Sequence, residues 1–290
     1  WAREVSLPEP HDEMERWYCN RLVNEALCAM GQLGGRPVHI NVPISEPLFC
    51  FTTPELPVER RIRLVDNSLW QCELTEMFLR SPRPMMVVGQ LQGGGACRVS
   101  EAIRHLKERV VVLSEPLATC GHEPCHFDEA LIEIGEEEAY QPDFIIYIGD
   151  TLVSKRVKHF MQHCRPSRCV VANASGELTD VTMSVTDVVV CPVEDVVDSL
   201  CEELDSGKLE LSNEASAFRQ RWAAALAKWT RRCKLFEPAY SQMMAVRSLC
   251  KITNEQECHM QFANSSAVRL GLLYSTRHLY VNRGVNGIEG

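Results

Sequence analysis

Five short apolar runs, at residues 85–88, 110–113, 144–148, 169–172 and 188–191, recur through the middle of this 290-residue chain, separated by segments of helix length. A run of four or five apolar residues without alternation is a strand buried on both faces. Strands that alternate with helices form a parallel sheet covered on each side. The intervening segments predict helices over 98–107, 155–162 and 194–205, long enough for right-handed crossovers. The expected fold class is therefore α/β, with a doubly wound, Rossmann-like parallel sheet in a middle domain at 61–208.

The flanks read differently. An amphipathic helix is predicted over 12–30, with Trp17, Leu22, Ala26 and Ala29 near helical spacing, followed by Gly34-Gly35 and a strand at 38–42 that Pro43 ends. Residues 43–62 carry Pro43, Pro47, Pro54 and Pro57 with little periodicity, the composition of an extended linker. A boundary is expected there, leaving 1–60 as a separate unit. Beyond the middle domain a helix is predicted over 213–233, where Phe218, Trp222, Ala225, Leu226 and Trp229 form a packing seam. Pro238 is expected to open a second helix running to about Cys250. A strand at 258–263, a helix at 265–274 and a strand at 279–282 follow. Two strands and a helix bury too little surface to stand alone, so 209–290 reads as connecting helices and the start of an incomplete domain. The chain opens at Trp1 with neither an initiator Met nor a signal peptide, and the expectation is an excised piece of a longer protein.

Composition excludes several classes of function. Lys plus Arg number 30 against 39 Asp plus Glu, a net charge of −9, and no basic run offers a face for a phosphate backbone. Nucleic acid is not an expected partner. No apolar stretch approaches the roughly 18 residues of a membrane span, so no membrane insertion is expected and the cytoplasm is the expected location. Fourteen cysteines fall below the density of a disulfide scaffold. Cys169, Cys191, Cys201 and Cys250 lie in apolar periodic segments and read as free thiols of a reducing compartment. Cys120-Gly-His122-Glu-Pro-Cys125-His126 packs four candidate zinc ligands into seven residues. A structural zinc knuckle needs a second, distant ligand pair, and none is visible, so no metal ligand is assigned. Gly89 and Gly93-Gly94-Gly95 follow the first middle strand but lack the spacing of a dinucleotide fingerprint or a phosphate loop. Neither Gly-x-Ser-x-Gly nor His-Glu-x-x-His occurs, which leaves hydrolase chemistry without a motif.

In open α/β sheets ligands lie beyond the carboxyl ends of strands, where the next helix points unpaired N–H groups outward. Three places put cations there. After the strand at 144–148, Ser154-Lys155-Arg156 places two positive charges in a first helical turn, where each opposes the helix dipole by about 0.3–1 kcal/mol. Such a pair is either solvated or matched by an anion from elsewhere. At Asn264-Ser265-Ser266-Ala267-Val268-Arg269, Ser265 is expected to cap a helix, with Arg269 four residues on along the same face. At the last strand, Asn282 is followed by Arg283 and Gly284. Arginine donates two parallel hydrogen bonds to a carboxylate. Together these places predict a ligand with several carboxylates or phosphates.

Four stretches carry a resemblance. Gly35-Arg36-Pro37-Val38-His39-Ile40-Asn41-Val42-Pro43-Ile44-Ser45-Glu46-Pro47-Leu48 resembles the end of the pyrimidine-binding domain in the 2-succinyl-5-enolpyruvyl-6-hydroxy-3-cyclohexene-1-carboxylate synthases, thiamine-diphosphate-dependent enzymes of menaquinone biosynthesis. Asn282-Arg283-Gly284-Val285-Asn286-Gly287-Ile288-Glu289-Gly290 resembles that family's Asn-Arg-Gly-x-x-Gly-Ile-(Asp/Glu)-Gly element. Ser154-Lys155-Arg156, and Asn264-Ser265 with Arg269, match two further family motifs in the same order.

The resemblance implies three α/β domains. This chain would hold the tail of the pyrimidine-binding domain and a linker (1–60), the whole middle domain (61–208), and connecting helices with the start of the pyrophosphate-binding domain (209–290). The middle domain would thus be flanked by partial thiamine-diphosphate-binding folds. The implied activity is a transferase reaction: with thiamine diphosphate and Mg²⁺ (or Mn²⁺), 2-oxoglutarate is decarboxylated and its succinyl carbanion equivalent is added to isochorismate. Both substrates are dicarboxylates. Ser265, Arg269 and Arg283 would grip carboxylates of the 2-oxoglutarate-derived portion, Lys155 and Arg156 would reach the isochorismate side, and Ile288 would touch the cofactor. The family's catalytic glutamate and its Gly-Asp-x-Ser…Asn metal-binding element match no position of this sequence, so no catalytic or metal residue is assigned. The chain alone is expected to be inactive and to bind the cofactor weakly or not at all. Family members assemble as homodimers or tetramers. Two alternatives stay open: another thiamine-diphosphate carboligase or decarboxylase, with FAD or ADP in its middle domain, and a non-catalytic Rossmann-like nucleotide-binding module.

Overall fold

The computed structural model describes residues 3–32, 35–44, 54–91, 93–118 and 124–281. A short parallel pair, β1 (Arg3–Ser6) and β2 (Val38–Asn41), accompanies helix α1 (Glu13–Met30). Asp12 caps that helix by accepting the Glu15 N–H at 2.8 Å. The central sheet has six strands, all parallel: β3 (Arg63–Asp66), β4 (Pro84–Val88), β5 (Val111–Ser114), β6 (Phe144–Ile148), β7 (Arg168–Asn173) and β8 (Asp187–Val190). Their spatial order is β3-β8-β7-β6-β4-β5. The chain winds outward from β4 to the β5 edge and from β6 through β7 and β8, so the sheet is doubly wound as expected.

Five of these strands are the five apolar runs. The sixth, β3, sits at the other edge and buries only Val65 fully, so its four residues carry no run to read. Residues 67–80, unassigned from sequence, form a helical segment of α2 (Asn67–Leu69), a π-helical turn (Trp70–Leu74) and α3 (Thr75–Arg80). Trp70, Leu74 and Phe78 follow one another at four-residue steps and are fully buried, which is what holds this segment on the sheet.

The remaining helices are α4 (Gly93–Lys107), α5 (Phe127–Ile134), α6 (Lys155–His163), α7 (Val193–Asp205), α8 (Asn213–Leu235), α9 (Gln242–Thr253) and α10 (Ser266–Tyr274). Helix α5 was not expected from the sequence. Helix α9 starts at the cap Ser241, not at Pro238, which lies ahead of it: the Ser241 side chain accepts the Met244 N–H and supplies the start signal. Near the carboxyl end β9 (Met260–Phe262) and β10 (Leu279–Val281) pair in parallel beside α10.

Alternating side chains of the sheet enter two cores. Met86, Val88, Ile146, Ile148, Val170 and Val189 face the core shared with α4 and α7, while Met85, Val87, Ile145, Tyr147, Val171 and Val188 face the core shared with α5, α6 and α8. Phe218 and Trp222 of the predicted seam lie in this second core, and the Trp222 indole donates to the Tyr140 carbonyl at 3.1 Å. Cys169, Cys191 and Cys250 are buried free thiols, and Cys201 is a half-buried one. Burial pushes Cys169 and Cys191 up to about 12, so both stay protonated and unreactive at neutral pH. Cys97, by contrast, is disulfide-bonded. Among the described residues no helix is long and apolar enough to cross a membrane.

At the switch point the loops leaving β4 and β6 close on each other. Gly89 N–H donates to the Ile148 carbonyl and Asp150 N–H to the Gln90 carbonyl, each at 2.8 Å. A Cβ at Gly89 would stand 1.8 Å from the Asp150 carbonyl oxygen, so only glycine admits this approach. Gly149 at φ 79° completes the turn opposite. Gly89→Ala is expected to destabilise the chain by roughly 1–3 kcal/mol through overpacking at this point, read as a lower denaturant midpoint; Gly94→Ala, which meets nothing within 4 Å, serves as the neutral comparison.

Candidate functional site

The site begins with a buried acid. Glu115 follows β5 directly and is 3% exposed. Its carboxylate accepts the Val153 N–H at 2.8 Å and the Ser154 N–H at 2.9 Å, from the loop that leaves β6. These bonds fix the entry to α6. Ser154 then caps the helix, its Oγ accepting the Val157 N–H at 3.0 Å while donating to Asp128 Oδ1 in the first turn of α5. The starts of α5 and α6 are thereby locked side by side, and Lys155 and Arg156 open the first turn of α6.

Arg156 and Lys155 fare differently. The Arg156 guanidinium donates to the Asp128 carbonyl at 2.9 Å and to Asp128 Oδ2 at 2.5 Å. The anion that offsets its unfavourable place on the dipole is therefore the protein's own. Lys155 has no ion-pair or hydrogen-bond partner among the described residues, and the Arg269 side chain has none either.

A third apolar cluster brings Arg269 to this place. Leu117 and Val153, from the two loops that Glu115 joins, pack with Cys250, Met260, Phe262, Val268, Leu279 and Val281. The Leu279 N–H also donates to the Pro116 carbonyl at 3.0 Å. Helix α10 is thus set over the loops, and Lys155, Arg156 and Arg269 line one cavity of about 340 Å³, walled on one side by Leu270, Leu272 and Leu273. That size suits a small-molecule ligand. Of the carboxylates at its surface, Glu115 is held by N–H groups and Asp128 by Arg156; Glu129 is not matched by a lysine or arginine.

Ser265 departs from expectation. It occupies the N-cap position of α10 but at φ 64°, ψ −122°, and its side chain makes no cap bond. The extended backbone that lets a cap hydroxyl reach the helix N–H groups is absent there. Ser265 is exposed and does not line the cavity, so its hydroxyl and the Arg269 guanidinium do not converge on it. Its backbone is one that L-residues adopt at a cost of about 1–3 kcal/mol. Arg283 and Ile288, with the whole 282–290 element, lie outside the described residues, as do 45–48 of the first motif and Cys120 and His122.

The cavity beside Gln90, Gly95 and Asn173, about 320 Å³, is lined by Asp150, Glu177 and Glu194 and by no lysine or arginine among the described residues, and Glu194 is ion-paired with Arg98 at 2.6 Å. Sequence reasoning missed Glu115 and Asp128. An acid directly after an apolar strand was a usable signal for the first, while Asp128 sits on a helix that local periodicity did not announce.

No family model matches the chain. It is similar over nearly its whole length to proteins named 2-succinyl-5-enolpyruvyl-6-hydroxy-3-cyclohexene-1-carboxylate synthase. The protein from Bacteroides thetaiotaomicron is 35% identical over 306 residues, covering 99% of this chain and 52% of that protein. That from Phocaeicola vulgatus is 30% identical over 298 residues, with 99% and 51% covered. That from Porphyromonas gingivalis is 27% identical over 294 residues, with 94% and 50% covered. The chain spans about half the length of the curated relatives it matches, and it belongs to this synthase family, as its four motifs implied.

Removing the acid at the base of the site tests the construction. Glu115→Ala leaves two buried N–H donors unmatched and is expected to cost roughly 2–5 kcal/mol of stability, whereas Glu115→Gln keeps an acceptor and costs less; denaturant unfolding of both variants reads the difference.

Proposed function

We propose that this chain forms the carboxylate-binding part of a thiamine-diphosphate-dependent transferase that decarboxylates 2-oxoglutarate and adds the succinyl carbanion equivalent to isochorismate, the synthase reaction of menaquinone biosynthesis. The observation that carries the reading is the pair of unpartnered cations, Lys155 and Arg269, that converge on one cavity from helices of different parts of the chain. Names of the relatives support it independently.

Each side chain has a defined task in this reading. The Arg269 guanidinium offers a planar fork for one carboxylate, and the Lys155 ammonium offers a point charge for another. Arg156, already held against Asp128, keeps N–H groups for a shared contact and fixes the geometry of α6. The leucine wall of α10 withdraws the bound carboxylates from water, which strengthens these pairs. Ser265 and Arg283 are assigned by resemblance to the 2-oxoglutarate-derived portion, with Lys155 and Arg156 on the isochorismate side. Ser265, with its uncapped hydroxyl, serves a part of the site beyond the described cavity.

Thiamine diphosphate supplies the carbanion chemistry when bound. Ile288 is the residue assigned to it by resemblance, and no described residue is assigned to the cofactor or to its Mg²⁺, so no step is routed through either. The active protein is proposed to work in the cytoplasm as a homodimer or tetramer. The cavity at the carboxyl ends of β4, β6, β7 and β8 is lined by no lysine or arginine among the described residues to hold a diphosphate, which argues against the nucleotide-binding alternative.

In the full-length protein, Lys155→Ala and Arg269→Ala are each expected to lower kcat/KM about 10- to 100-fold, largely through KM for a dicarboxylate substrate, since a hydrogen bond to a charged group is worth about 1.5–3 kcal/mol. Thiamine diphosphate affinity should stay unchanged. Values within twofold of the unaltered protein for both variants, or retention of FAD or ADP through purification, would sink the assignment.

A further inference from the structure

A second cluster of donor atoms lies where α5 meets the last turns of α8. His126 and Glu129 stand three residues apart at the start of α5, and Cys233 lies near the end of α8. One ligand atom from each lies within 4.8 Å of the other two. The His126 side chain is 3% exposed, and its Nδ1 is buried without a hydrogen-bond partner, 3.4 Å from Glu129 Oε2. A buried imidazole nitrogen left without a partner is costly, and native structures rarely keep one without a reason. Donors about 2.0–2.3 Å from a tetrahedral zinc ion stand roughly 3.3–3.7 Å from one another. The His126–Glu129 separation is already in that range.

We propose that His126, Glu129 and Cys233 bind one Zn²⁺ ion, which ties the start of α5 to the end of α8. The ligand set of one imidazole, one carboxylate and one thiolate matches the borderline-soft character of zinc. It also supplies what the Cys120–His126 stretch lacked in sequence: a distant partner, Cys233, brought from a helix far along the chain to His126. The Cys233 thiol is pushed up to about 11 by burial and by the Glu129 charge, so it holds its proton until a cation replaces it. His126 borders the cavity of Lys155 and Arg269 on one side and, with Cys233, a second cavity of about 510 Å³ on the other.

The other cluster of this kind among the described residues, Glu136, His159 and His163, is exposed, and His163 Nδ1 is already engaged with the His159 carbonyl at 2.8 Å. It lacks a buried donor in want of a partner. The zinc assignment does not rest on the synthase reading and stands or falls on its own test.

Cobalt(II) is the probe, since a thiolate bound to it gives a near-ultraviolet charge-transfer band and tetrahedral coordination gives intense visible bands. The expected result is saturable binding of one Co²⁺ per chain with both signals, displaced by Zn²⁺. Cys233→Ser should remove the charge-transfer band, and His126→Asn, whose side chain tolerates the φ of 51° at that position, should weaken binding about tenfold or more. Should either variant fail to fold, Zn²⁺ protection of Cys233 against alkylation in the unaltered protein, mapped by mass spectrometry, gives the same answer. Absence of a thiolate band, or Cys233 alkylation at the same rate with and without Zn²⁺, overturns the proposal.

Discussion

The candidate site depends on the buried carboxylate of Glu115. It accepts two N–H groups from the loop after β6, although it belongs to the loop after β5, on a strand that is not the neighbour of β6 in the sheet. A carboxyl group in the interior is tolerated only when hydrogen-bond partners surround it, and donors in an irregular loop need an acceptor just as much. Each satisfies the other. The bond therefore fixes Val153 and Ser154, and with them the first turn of α6, more firmly than local propensity would. Because Pro116 and Leu117 come next in the chain, the same stretch that receives α6 also receives the carboxyl-terminal strands, through the Leu279 hydrogen bond and the third apolar cluster.

Charge is handled economically around this anchor. Two cations in the first turn of a helix are disfavoured by its dipole, and the protein neutralises only one of them, Arg156, with Asp128. Lys155, without a partner among the described residues, lines the cavity together with Arg269. Two unpaired cations at one cavity repel each other, and an anionic ligand with two charged ends relieves both at once. Preorganised charge of this kind favours binding because the protein need not rearrange when the ligand arrives. On the other rim, His126 and Glu129 form a polar group of opposite character, and Cys233 reaches them from α8.

Much of this was legible in the sequence, for reasons particular to each element. The strands β4 to β8 are buried on both faces, so their apolar runs are continuous and need no partner to be recognised. β3 was not legible because an edge strand of four residues with one fully buried side chain leaves no pattern. The caps of α1, α6 and α8 are Asp12, Ser154 and Ser212, each accepting an N–H three residues on, as the residue-type rule for helix starts has it. The same rule failed at Ser265, where backbone geometry, invisible to a residue-type rule, turns the hydroxyl away from the helix. Gly89, which belongs to no recognisable phosphate-loop spacing, lets two loop backbones touch, a role only the tertiary contact reveals.

What the sequence determined by itself was the local and the periodic: a parallel sheet buried on both sides, helices between its strands, and cations at the starts of helices beyond them. Hydrophobic period and cap chemistry act over a few residues, so they survive without knowledge of the fold. Tertiary structure alone decided which of those residues share a space. Lys155 and Arg269 meet because Leu117, Val153, Met260 and Leu279 pack together, and His126 meets Cys233 because α8 lies along the core that α5 and α6 cover. Such encounters are set by the closure of long loops over apolar surface, a non-directional force that leaves no mark on the spacing of the residues it brings together.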